Sequence, residues 1–81
     1  MNRANILAKL SEIFRDAFDD DSIVISESAN SADIENWDSF MQINLIMACE
    51  TEFRVKFDLK DVISLRNVSS MADVIERKLR Q

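Results

Sequence analysis

Glycine, proline, histidine and tyrosine are all missing from these 81 residues, and there is a single cysteine. Without Gly or Pro, turns that need a positive or a fixed φ lose their usual residues, which favours helices joined by polar loops. Without His there is no ordinary general base, no Cys–His or Ser–His pair and no imidazole metal ligand, so most routes to self-sufficient catalysis are closed. One Cys excludes an internal disulfide. No apolar run reaches the ~20 residues that a membrane-spanning helix needs. No charged-then-apolar leader precedes the first amphipathic stretch, so a soluble, cytoplasmic protein is expected. The length predicts one small domain over residues 1–81, with little room for a deep enzyme cleft.

Hydrophobic residues make up 47% of the chain, enough for one core, and the net charge is −5. The charge is uneven: residues 1–38 hold nine Asp or Glu against three Lys or Arg, and residues 39–81 hold six against seven. An acidic surface repels nucleic-acid phosphates and anionic lipid and attracts basic patches on proteins. Nucleic-acid and membrane partners are therefore not expected.

Ile6, Leu7, Leu10, Ile13, Phe14, Ala17 and Phe18 recur at three-four spacing and predict a helix over residues 3–18, ended by Asp19-Asp20-Asp21. Residues 19–37 carry no helical period. Ser22 to Ser26 has strand-like composition but no partner strand, so Ile23, Ile25, Ile34 and Trp37 read as anchors that pin an extended loop on the helices. Loops of this length in a small domain are usually functional or disordered. A second helix is predicted from Ser39 to Phe53, with Phe40, Ile43, Ile46, Met47 and Phe53 facing inward and Leu45, Ala48 and Cys49 widening the apolar arc. A third, short helix fits Asp58–Leu65, with Asp58 as N-cap and Leu59, Val62 and Ile63 inward. The fourth is predicted to start at Ser70, where Ser70-Met71-Ala72-Asp73 approximates a capping box, and to bury Met71, Val74, Ile75 and Leu79. Phe14, Ile43, Phe53, Val62 and Ile75 are expected to share one core.

The most informative stretch is Ile34-Glu35-Asn36-Trp37-Asp38-Ser39-Phe40, which closes an acidic loop and opens an apolar helix. Asp38-Ser39-Phe40, followed by a helix ending Glu50-Thr51-Glu52-Phe53, resembles the attachment motif of acyl carrier proteins, an Asp-Ser-Leu at the start of the second helix and a Glu-x-x-Phe at its end. The resemblance runs on through the short third helix and the Ser-capped fourth. It implies an all-α fold, a four-helix bundle of acyl-carrier type with a long loop between helices 1 and 2 and a short helix 3. It also implies that Ser39 carries phosphopantetheine, covalently transferred from coenzyme A by a separate, Mg²⁺-using phosphopantetheinyl transferase. Asp38 would flank the attachment point. The implied protein is no enzyme but a monomeric carrier of acyl thioesters, serving synthases and acyl-transferring enzymes with basic docking patches in a fatty-acid-like or specialised lipid or polyketide pathway. An aminoacyl or peptidyl carrier, and a non-carrying interaction module with the same fold, are the alternatives.

Ser39 has a plainer reading, because Ser39-Phe40-Met41-Gln42 also fits the Ser-x-x-Gln capping box. Alternatively Asp38 is the N-cap and Ser39 the first helical residue; the local sequence leaves both open. The chain also departs from the family pattern. Met41 and Asn44 stand where carriers of fatty acid synthesis usually place acidic docking residues, which points to specialised partners, and Phe40 in place of Leu puts a larger side chain beside the arm. Asp16, Asp19, Asp20 and Asp21 suggest Ca²⁺, but no Gly supplies the turn of an EF-hand loop and the ligand spacing is absent, so a solvated acidic loop and no metal site are expected. Cys49 reads as a buried small hydrophobe. Met41, Met47 and Met71 read as fillers of core gaps, Met47 with the further possibility of lining a cavity for an acyl chain. Trp37 is expected to cover the junction of loop and second helix.

Overall fold

The computed structural model describes residues 2–80, and among these it contains four helices and no strand. They are α1 (Arg3–Phe18), α2 (Ser39–Phe53), α3 (Leu59–Ser64) and α4 (Val68–Leu79). The all-α architecture, the long loop after α1 and the short α3 agree with the sequence. Among the described residues no helix is long and apolar enough to cross a membrane.

Each helix start is held by a short polar side chain that satisfies a backbone N–H left free in the first turn. Asn2 accepts from Asn5 N at 2.8 Å, Asp38 from Met41 N at 3.0 Å, Asp58 from Asp61 N at 2.8 Å and Asn67 from Ser70 N at 2.8 Å. The fourth cap corrects the sequence reading: α4 begins at Val68 rather than Ser70, and Asn67 is its cap. With no glycine available, α1 and α2 end on Asp19 (φ 51°) and Arg54 (φ 56°) in the left-handed region. Asp20 N then reaches Arg15 O at 3.0 Å and Val55 N reaches Glu50 O at 3.2 Å, closing the exposed carbonyls of each last turn.

α1 is the spine, packing on both α2 and α4. Ile6, Leu10 and Phe14 from α1, Leu45, Cys49 and Phe53 from α2, and Val68, Met71 and Ile75 from α4 form one buried cluster. The loop of residues 19–38 lies on this cluster as predicted: Ile25 and Ala29 are buried, and Ile23, Ile34 and Trp37 pack at its edge. Its backbone is fastened too. Ser11 Oγ accepts from Ile25 N at 3.2 Å, Arg15 Nε donates to Ile23 O at 2.7 Å, and Val68 N and Ser69 N donate to Ala29 O and Glu27 O at 2.9 and 3.0 Å. The Arg3 guanidinium gathers Glu27 (2.6 Å) and Asp73 (2.8 Å), so the start of α1, the loop and α4 are joined by one cation.

Two faces depart from the sequence expectation, although Ile46 and Phe53 are buried as it predicted. Phe40, Ile43 and Met47 are exposed, at 71%, 57% and 59%, while α2 buries Leu45, Ile46, Cys49 and Phe53. Phe40, Ile43 and Met47 form one stripe at three-four spacing, but a helix apolar nearly all round has no periodic signal to say which stripe is covered. Met47 therefore fills no core gap, whereas Met71 does. On α3, Leu59 and Ile63 are exposed, Val62 is partly so, and the residue that points inward is Asp61. Ile43 and Val62 accordingly lie outside the core that Phe14, Phe53 and Ile75 share, and Leu79 sits at the edge of the stripe of α4 rather than within it.

Six residues are too few for a helix to stand alone in water. Instead of burying an apolar stripe, α3 is held by partly buried Phe57 before it and Leu65 after it, by a reciprocal capping box between Asp58 and Asp61, and by Asp61. The Asp61 carboxylate pairs with Arg77 and, at 3.0 Å, with Lys78 of α4. Burial by itself raises the Asp61 pKa, but the backbone N–H of Asp58 together with Lys78 and Arg77 outweighs it and brings the pKa to about 2. An unfolded Asp titrates near ~3.9. A depressed folded pKa means that this stabilisation is complete above the unfolded value and is lost as pH falls from about 4 to about 2. Acid unfolding followed by circular dichroism is expected to show that loss, and Asp61→Asn to be less stable at neutral pH and flatter across the same window.

Candidate functional site

The candidate site is built where the loop meets α2. Asn36 has φ 71°, a left-handed conformation that Asn tolerates better than most residues. It turns the chain so that Asp38 N lies 3.1 Å from Asn36 O and Asp38 enters the N-cap position. The two readings of Ser39 are now resolved: the Asp38 carboxylate caps α2, and Ser39 is its first helical residue. Ser39 is exposed, its hydroxyl free of any capping duty.

Gln42 is not part of a capping box either. Its Oε1 accepts from Trp37 Nε1 at 2.7 Å, which ties the first turn of α2 to the indole. Trp37 packs edge-on against the buried Phe14 ring, with centroids 5.1 Å apart and planes at 79°. A core aromatic on α1 thus fixes the indole, the indole fixes Gln42, and the start of α2 is held at the surface in one orientation. This agrees with the expectation that Trp37 covers the junction.

Beside Ser39 an open cleft of about 500 Å³ runs between α2 and α3. Asp38, Ser39 and Arg66 lie along it together with apolar Ile43, Ile46, Val62 and Leu65. Sequence reasoning missed Arg66, which sits between the C-cap of α3 (Leu65) and the N-cap of α4 (Asn67). It lines the same cleft as Ser39 through the packing of distant segments, so no local signal could have marked it. The outward stripe of Phe40, Ile43 and Met47 starts one residue after Ser39.

The other candidates have structural roles. Among the described residues no three His, Cys, Asp or Glu side chains come together as a metal site. Asp20 is occupied within its own turn, accepting from Ser22 N and Ser22 Oγ at 3.0 and 2.6 Å, bonds that hold its carboxyl below the usual range. Cys49 is fully buried, and that burial, with a smaller contribution from the charge of Glu50, pushes its thiol up to about 12. Since the thiolate is the nucleophile, Cys49 is expected to resist iodoacetamide at pH 8 in the folded protein and to react once guanidinium exposes it.

No family model matches the chain. Individual proteins do. The chain is 33% identical over 79 residues to an acyl carrier protein of Thermosynechococcus vestitus, covering 98% of each. It is 31% identical over 78 residues to that of Thermotoga maritima, covering 96% of each. The solution structure of the holo acyl carrier protein of Geobacter metallireducens superposes with a TM-score of 0.86 at 41% identity, over 93% of this chain and 86% of the other. The crystal structure of the Thermotoga maritima acyl carrier protein superposes with a TM-score of 0.84 at 26% identity, over 99% and 93%. With sequence likeness running from end to end of such relatives and the same helical fold, the chain belongs to the acyl carrier protein family, whose members are carriers and not enzymes.

Proposed function

We propose that the protein carries acyl groups as thioesters on a phosphopantetheine arm attached to Ser39. The observation that carries this reading is the free Ser39 hydroxyl, exposed on the first turn of α2 and lining the cleft while Asp38 does the capping. The residues fit such an arm. A phosphodiester is tolerated at the positive end of a helix dipole. The cleft that Ser39 lines has both polar residues (Asp38, Gln42, Arg66, Asn67) and apolar ones (Ile43, Ile46, Val62, Leu65), suiting a polar arm with an acyl end. When bound, the arm supplies a terminal thiol for the thioester. The chain's own residues do the rest: Asp38 sets the helix start, Trp37 and Gln42 hold it still, and Ile43, Ile46, Val62 and Leu65 offer apolar contact along the cleft.

Attaching cargo to a small, recognisable protein raises its effective concentration at each docked enzyme. For partners, the exposed Phe40, Ile43 and Met47 favour enzymes that meet α2 with an apolar surface, and acidic Asp33, Glu35 and Asp38 favour basic residues around it. This supports synthases and acyl-transferring enzymes of a specialised pathway over those of general fatty acid synthesis. The test is the intact mass after incubation with coenzyme A, Mg²⁺ and a broad-specificity phosphopantetheinyl transferase. A gain of one phosphopantetheinyl group is expected. An unchanged mass with an active transferase would move the assignment to a non-carrying interaction module.

A further inference from the structure

The Ser39 attachment places an anion next to the Asp38 carboxylate, at the end of a loop segment that also carries Asp33 and Glu35. Of the residues that line the cleft beside Ser39, only Arg66 is cationic. It is exposed and, among the described residues, forms no ion pair; Arg15, Arg54, Lys56 and Lys60 also form none but do not line this cleft, and Arg3, Lys9, Arg77, Lys78 and Arg80 are each engaged with a carboxylate.

Its backbone is held in place. On one side Leu65 N donates to Val62 O at 3.2 Å and closes α3. On the other, Asn67 caps α4 through Ser70 N at 2.8 Å, and Val68 N is bonded to Ala29 O at 2.9 Å. Arg66 thus projects from a short link fixed at both ends, on the wall of the cleft facing α2. A guanidinium is well suited to a phosphate, because it stays charged, is weakly hydrated and presents a planar fork of donors.

We propose that Arg66 receives the phosphodiester of the Ser39-linked arm and thereby holds the first part of the arm along the α2–α3 cleft. This rests on the attachment at Ser39, which intact mass tests independently. The phosphodiester joins Ser39 Oγ to the arm and keeps one negative charge, so the contact is a charge-assisted hydrogen bond and involves no bond-making step.

The experiment compares apo and fully loaded protein for the native sequence, Arg66→Gln and Arg66→Lys, each checked by intact mass and circular dichroism. In the native protein, loading is expected to move the Arg66 Nε–H resonance in ¹⁵N NMR and to raise the melting temperature by about 2–4 °C at low salt, the size that a modest added interaction has in so small a domain. The rise is expected to vanish in Arg66→Gln, to persist in part in Arg66→Lys and to shrink in 0.5 M salt, roughly a 4 Å screening length. A fully loaded protein whose Arg66 resonance does not move, with the same temperature rise in Arg66→Gln, would overturn the role of Arg66 and leave Ser39 attachment standing. No gain in mass would overturn both.

Discussion

Ser39→Ala is expected to abolish the gain in mass on incubation with coenzyme A and a phosphopantetheinyl transferase while leaving stability within about 0.5 kcal/mol of the native protein. Loading fails because no hydroxyl remains at the position to accept the phosphodiester. Stability survives because the cap of α2 belongs to Asp38, whose carboxylate accepts from Met41 N at 3.0 Å, and because Ser39 is exposed and buries nothing. Had Ser39 been the cap, its loss would have cost ~1 kcal/mol. Asp38→Ala is the informative companion. Removing the cap is expected to cost about 0.5–2 kcal/mol and to lower the rate of loading by fraying the turn that presents Ser39, with the final mass gain still reached. Normal loading of Ser39→Ala would place the arm elsewhere and overturn the attachment.

Phe14→Ala is expected to lose about 3–5 kcal/mol, read as a lower urea midpoint. Phe14 is fully buried. Its ring stacks on Phe18 at 6.0 Å and meets Trp37 edge-on at 5.1 Å, so truncation removes apolar burial, opens a cavity and breaks both aromatic contacts at once. A domain of this size has roughly 4–12 kcal/mol of stability in total, so a loss of this order leaves a visible unfolded fraction or none to spare. The effect also reaches the site. Trp37 is the only tryptophan, and it holds Gln42 on the first turn of α2, so its fluorescence is expected to shift to the red in Phe14→Ala even under conditions where the helices remain. Unchanged stability would show that Trp37 and the loop do not depend on the core position of Phe14. Phe14→Leu, which keeps most of the volume, is expected to cost less.

Much of this was legible in the residues alone. The three-four spacing of α1 fixes both its span and its buried stripe, and strong local patterns of that kind do not depend on tertiary partners. The Asp-Ser step after a long acidic loop, followed by an apolar helix ending in Glu-x-x-Phe, was enough to suggest the family and Ser39, and the absence of His was enough to close most routes to self-sufficient catalysis. Anchoring of the loop by Ile23, Ile25, Ile34 and Trp37 was also foreseeable, since four large apolar side chains in a polar segment have to be covered.

What only the tertiary structure decided is orientation and long-range proximity. An all-round apolar α2 leaves the choice of buried stripe to packing, and packing covers Leu45, Ile46, Cys49 and Phe53 while leaving Phe40, Ile43 and Met47 outside. A short α3 could bury its leucine, valine and isoleucine or its aspartate, and the aspartate is buried because Arg77 and Lys78, sixteen and seventeen residues away, stand opposite it. Arg66 shares a cleft with Ser39 for the same reason: the link from α3 to α4 is fastened to the loop through Val68 and Ala29, and a cleft formed by segments so far apart along the chain has no local sequence signature. Periodicity and caps record what a segment does with its own backbone, whereas the neighbour that each face meets is set by which helices pack, and that is a property of the whole chain.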